Sequence, residues 1–268
     1  MSPGDGSAPL ARVILASGVV LFWVVQLALY LLVGIPLVDS ILLAVLLAAV
    51  PIFSLAQLPM IDGAVIERLP AYWGSILTLW LLGTACWLVG TRADGAAALG
   101  IVAIEPLALI GWSAALTALG LLTILVFRQV AIWARLPDSP LLRQLLPTDG
   151  RERGVFALLS LAAGTGEELA YRGYAIPLLV PITGTGGAVV LTSAVFGVVH
   201  GYQGPLGVLR TGLMGGILAW GFLASGSLWP AIVAHTAIDL IAGIALGDRL
   251  LSPETPNGVE PDPDAITS

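Results

Sequence analysis

Residues 154–179 read GVFALLSLAAGTGEELAYRGYAIPLL, an apolar stretch long enough to cross a bilayer that is interrupted by Glu167, Glu168 and Arg172. A spanning helix needs about 20 mostly apolar residues, and ionisable groups at membrane depth are costly enough to mark working sites. The stretch therefore implies a membrane-embedded helix and a polar centre inside it. Adjacent residues on a helix point about 100° apart, so Glu167 and Glu168 diverge, whereas Glu168 and Arg172, at i and i+4, share a face. This spacing predicts a Glu168–Arg172 ion pair that offsets part of the desolvation cost. Glu167 is then left to face a polar cavity as a general base. About ten residues, roughly 15 Å of helix, separate the acids from the cytoplasmic end, which places them near the midplane. The bland alternative is a clamp between helices, but a clamp needs one acid for one arginine and here there are two.

Working outward, the whole chain has the same apolar character. Hydrophobic residues are 57% of the 268 and charged residues 10%, against roughly 45–50% and about 25% in soluble domains. The expected fold is all-α, a polytopic transmembrane helical bundle of about eight spans. Four fall near 13–34, 38–58, 71–90 and 107–127, and four more near 154–179, 186–202, 206–224 and 228–246. The domain reading follows: 1–127 as N-terminal hydrophobic helices, 128–153 as a basic cytoplasmic connection, 154–246 as the functional core, and 247–268 as a disordered acidic tail. A short interfacial helix is expected around Leu141 to Leu146. All eleven basic residues are arginine, which hints at a GC-rich bacterial genome. If the spans alternate, Arg12, Arg68, Arg128, Arg135, Arg143, Arg151, Arg153, Arg210 and Arg249 share one side and leave Arg92 opposite, so both termini are expected to be cytoplasmic. The first apolar run is long enough to span and lacks a cleavage signal, so no removed signal peptide is expected.

Several features carry little function. The net charge of −6, set largely by loops and by Glu254, Glu260, Asp262 and Asp264, argues against nucleic-acid binding. Cys86 stands alone in an apolar run, which excludes an intrachain disulfide and a cysteine metal cluster. Residues Thr183–Gly187 lack the lysine and preceding strand of a phosphate-binding loop and are expected to form a tight non-cytoplasmic turn. The glycine pairs Gly197/Gly201 and Gly212/Gly216, at i,i+4, suit close helix packing in lipid.

The chemistry-bearing residues gather in the second half. Phe196 and His200 lie one helical turn apart in the sixth span, and His235 and Asp239 one turn apart in the eighth. A lone histidine in such a helix often only bonds a carbonyl. Two histidines, several carboxylates and an arginine on three helices of an apolar bundle are instead expected to converge on one site.

Taken in order, Glu-Glu-x-x-x-Arg (Glu167, Glu168, Arg172), Phe-x-x-x-His (Phe196, His200) and His-x-x-x-Asp (His235, Asp239) resemble the CAAX protease and bacteriocin-processing (CPBP, or Abi) family of intramembrane endopeptidases. The resemblance covers roughly residues 155–245. It implies that Glu167 and His200 polarise the attacking water, that Glu168 and Arg172 support them, and that His235 and Asp239 stabilise the oxyanion. Asp239 stands where eukaryotic-type members have asparagine, and an ionised aspartate cannot donate to an oxyanion. It is therefore protonated, orients His235 or helps bind a metal. Glu167, His200 and His235 are the candidate metal ligands, with zinc the metal their donor types suit. A glutamate–histidine pair could also activate water without one. The expected activity is hydrolysis of a peptide bond in a membrane-embedded or lipid-anchored protein or peptide, in the cell membrane. The competing classes are a non-catalytic scaffold or immunity protein and an ion-coupled transporter. The transporter reading predicts inverted repeats in both halves, whereas the polar residues crowd into one.

Overall fold

The computed structural model describes residues 7–61, 63–136 and 138–250, and among them every regular element is helical. The long helices are α1 (Pro9–Leu32), α2 (Leu37–Ile61), α3 (Arg68–Gly90) and α4 (Pro106–Ala134). A five-residue helix α5 (Pro140–Gln144) follows, then a long helical stretch Gly150–Val199, α8 (Gly204–Ser225) and α9 (Trp229–Leu246). By length and apolarity, seven of the described helices can cross a membrane. One of the seven is a hairpin.

Along Gly150–Val199 the backbone leaves helical geometry at Gly184, with φ 72° and ψ 167°, a conformation essentially reserved for glycine. On a straight helix Tyr171 and Phe196 would lie roughly 37 Å apart at 1.5 Å per residue. Their rings are 5.5 Å apart and meet edge-on. The chain therefore folds back at Gly184 into two arms, α6 (150–183) and α7 (185–199), which makes eight long segments in all and puts the turn inside Thr183–Gly187 as expected. Gly184 is also the midpoint of the functional motifs: Arg172 and Phe196 each lie twelve residues from it, and Glu168 and His200 sixteen. Equal arms bring each pair to one level.

Alternating arms divide the loops between two faces. On one, Ile66 donates its backbone N–H to Gln144 Oε1 at 3.0 Å, Tyr72 Oη donates to the Leu145 carbonyl at 2.6 Å, and Arg68 lies 3.5 Å from Glu152. On the other, Leu228 N–H donates to the Gly100 carbonyl at 2.8 Å and Ser227 Oγ donates to Val102 at 2.8 Å. An even number of arms puts both ends of the described chain on the arginine-bearing face. Arg92, on the opposite face, is bonded to Asp39, which holds its guanidinium even more firmly protonated than usual.

Local chemistry sets the helix ends. Asp149 accepts from the Glu152 N–H at 2.8 Å while the Glu152 side chain reaches back to the Thr148 N–H at 2.7 Å, a reciprocal cap at the start of α6. α4 runs seven residues past the expected end at 127, because Arg128 and Gln129 stay helical at the membrane edge, and it stops where Arg135 turns left-handed at φ 55°. α5 overlaps the stretch Leu141 to Leu146 expected to be an interfacial helix, starting one residue earlier and ending two earlier. Of the segment expected to be a disordered tail, Gly247–Leu250 forms a helical turn and 251–268 lies outside the described residues. The outer surface is apolar, with Leu32, Leu107, Val190 and Trp133 exposed, as lipid contact requires.

Candidate active site

α6 opens into a wider π-helical segment at Glu168–Ala175, a local distortion frequent at functional sites. Its inward side holds the polar centre. Arg172 Nη1 donates to Glu168 Oε1 at 2.7 Å, as the i,i+4 spacing predicts, and Arg172 Nη2 donates to the Gly215 carbonyl of α8 at 3.0 Å. Both side chains are essentially inaccessible, at 0% and 1% exposure. The guanidinium also lies 4.5 Å over the Phe196 ring, so α7 covers the ion pair with an aromatic face. Gly197 and Gly212 permit this approach: a Cβ on Gly197 would sit 2.6 Å from the Val208 carbonyl oxygen and 3.2 Å from Gly212 Cα.

α9 brings in His235, and one imidazole engages both glutamates. Its Nδ1 is 2.8 Å from Glu168 Oε1 and its Nε2 3.7 Å from Glu167 Oε2. Glu168, already paired with Arg172, is an acceptor, so Nδ1 carries the proton and donates to it. The divergent directions of neighbouring glutamates are what let them reach opposite edges of the ring. Asp239, one turn on, has Oδ2 3.8 Å from the same Nε2 and is 34% exposed. The polar centre therefore opens toward the arginine-bearing face.

His200 closes the group from the end of α7. Its Nδ1 lies 2.8 Å from the Phe196 carbonyl oxygen and donates to it, which leaves Nε2 available. Its ring centre lies 4.7 Å from that of Phe196 at a 55° tilt, and Phe196 in turn meets His235 edge-on at 6.0 Å. Thus Glu167, Glu168, Arg172, His200, His235 and Asp239 gather around Phe196 and the glutamates. Among the described residues Glu167 makes no hydrogen bond or ion pair with His200. Its imidazole neighbour is His235.

Three buried oxygens here have no hydrogen-bond partner: Glu167 Oε2, Glu168 Oε2 and Tyr171 Oη. Buried polar atoms are normally satisfied, so orphans clustered on two turns of one helix mark a place meant to meet water or substrate. Among the described residues no group of three or more histidine, cysteine, aspartate or glutamate side chains is placed to hold a metal ion.

The match that names this arrangement covers its three helices. Residues 151–241 match the family model described as Rce1-like, type II CAAX prenyl endopeptidase Rce1-like. This match agrees with the resemblance of the three motifs to the CPBP, or CAAX protease, family. The matched segment runs from the capped start of α6 to just past Asp239 and contains every candidate site residue. No curated protein and no solved structure matches the chain.

Two polar features escape a reading of motifs. Asp39, buried at the start of α2, accepts from Tyr174 Oη at 2.9 Å as well as from Arg92, so it ties the outer ends of three elements together. The available signal was a lone acid in an apolar run and a lone arginine on the same side. Gln203 donates to Tyr202 Oη at 3.2 Å and accepts from Arg210 and Thr211 at 2.9 and 3.1 Å. Nothing in its local sequence distinguishes it.

Proposed function

We propose that the chain is an intramembrane endopeptidase that hydrolyses a peptide bond of a membrane-embedded or lipid-anchored protein or peptide, with Glu167 as the general base. The observation that carries this is the buried, unpartnered Glu167 Oε2 beside His235 Nε2, within a segment of a peptidase family. Glu167 takes a proton from water, and the hydroxide attacks the carbonyl carbon as the carbonyl electrons move to oxygen. His235 in its imidazolium form keeps its Nδ1–H on Glu168 and donates its Nε2–H to that oxyanion, while the unprotonated Nε2 of His200 can only accept. When the tetrahedral centre collapses, the C–N bond breaks and Glu167 returns its proton to the leaving amine. Glu168 and Arg172 act on His235, fixing its ring by the Nδ1–H bond, and Asp239 restrains the other edge. In this reading Asp239 is an orienting group, and the oxyanion is served by the His235 imidazolium. Water enters from the arginine-bearing face, which we assign to the cytoplasm together with both termini.

The test is cleavage in proteoliposomes of a lipid-anchored reporter peptide library in H₂¹⁸O. Hydrolysis by wild type places one ¹⁸O in each new C-terminal carboxylate, and Glu167→Gln abolishes it in folded protein. Cleavage that survives in Glu167→Gln, or an intact library with folded wild type, contradicts the assignment.

A further inference from the structure

Away from the glutamates and histidines, a cavity of about 280 Å³ lies between the arginine-face ends of α4 and α8. That is far above the ~10–15 Å³ one water requires. Its wall includes Arg128 and Phe127 of α4, Asp138, and Gln203 and Arg210 at the start of α8. Arg128 lies six residues before the end of α4 and Arg210 six after the start of α8, each about 9 Å along its helix. Both guanidinium-bearing side chains are therefore offered to one space at the depth of lipid headgroups. Arg128 Nε is buried without a hydrogen-bond partner. Arg210 Nη2 donates to Gln203 Oε1 at 2.9 Å. With Asp138 included, the lining charge is +1.

We propose that this cavity binds a phosphate-type anion, whose oxygens accept from the Arg128 Nε–H and from Arg210. A buried donor left unpaired loses the full desolvation cost of its group, and arginine's planar fork matches phosphate oxygens. The surroundings suit a phospholipid: Leu122 and Val126 on α4 and Leu213 on α8 are exposed apolar side chains on the flanking helices, deeper in the membrane than the arginines, where acyl chains would run. A free phosphate offers the same oxygens without those chains. Gln203 links this cavity to the candidate active site, since it donates to Tyr202 Oη, and the Tyr202 ring lies 5.9 Å from His200.

The experiment is native mass spectrometry of the full detergent-solubilised chain with phosphatidylglycerol, with diacylglycerol as the phosphate-free lipid and inorganic phosphate as the free anion. Wild type retains phosphatidylglycerol over diacylglycerol. Arg128→Gln combined with Arg210→Gln lowers retention at least about tenfold, the worth of a lost charge-assisted hydrogen bond. Ala131→Leu, which fills the cavity from α4 without touching a charge, does the same and decides the matter if the double variant does not fold. Arg135→Gln, on the same face outside the cavity, leaves retention unchanged. If inorganic phosphate displaces the lipid and itself raises the melting temperature only when the two arginines are present, the site stands with a soluble anion as its source. Retention unaffected by both cavity variants, or lost equally in Arg135→Gln, overturns it.

Discussion

Glu167 and Glu168 are neighbours with opposite situations, and the difference is testable. Glu168 is fully buried and serves two donors, Arg172 and His235. Removing one partner of such a pair leaves a buried charge uncompensated and costs roughly 3–5 kcal/mol. Glu168→Gln should therefore lower the melting temperature of the solubilised protein markedly, whereas Glu167→Gln, which removes no hydrogen bond, should melt close to wild type. Equal melting of the two variants would show that the ion pair does not hold the site together. The Glu168–Arg172 pair was legible from i,i+4 spacing alone. The bridging of both glutamates by His235 was not, because that contact joins residues 67 positions apart in the chain and depends on where α9 packs. The role of Asp39 was hidden for the same reason: its partners Arg92 and Tyr174 lie 53 and 135 positions away.

Among the elements, the α6–α7 hairpin carries most of the consequence. Its turn rests on one backbone conformation, so Gly184→Val should destabilise the protein by roughly 1–3 kcal/mol through backbone strain, read as a lowered melting temperature. Its register rests on arm length. Inserting two residues after Gly184 would rotate and lift His200 and Phe196 relative to Glu168 and Arg172. Activity should then fall even where melting is little changed, and retained activity would show that arm length does not set the site. At the α7–α8 crossing, Gly197→Leu would drive a side chain into the Val208 carbonyl and separate the helices. Hydropathy made the eight segments and the turn near 183–187 legible, because apolar length is a local property. The extra helical turns of α4 were not, since polar residues at a membrane edge neither end nor extend a helix by composition. Of the glycines expected to pack closely, Gly197 and Gly212 form the tight crossing, while a Cβ on Gly201 or Gly216 would meet only side chains at 3.3 Å or more.

For the whole molecule, the division of loops between two faces predicts the outcome of labelling. With Cys86 replaced by serine, an impermeant maleimide applied to intact cells should label a cysteine at Asp94 and spare one at Thr148, both exposed positions on opposite faces. The reverse pattern would invert the topology and place the mouth of the site outside. The four N-terminal helices supply the second wall of the polar centre through α3, which packs closely enough that a Cβ on Gly83 would lie 3.0 Å from Gly166 Cα, and brace the outer face through Asp39. The central claim, a peptidase whose water is activated by Glu167, is tested most directly by single-turnover cleavage of a membrane-anchored peptide by wild-type and Glu167→Gln proteins of matched melting temperature. The account predicts a rate lower by at least about 10²-fold in the variant, the usual worth of a general base. Equal rates would contradict it.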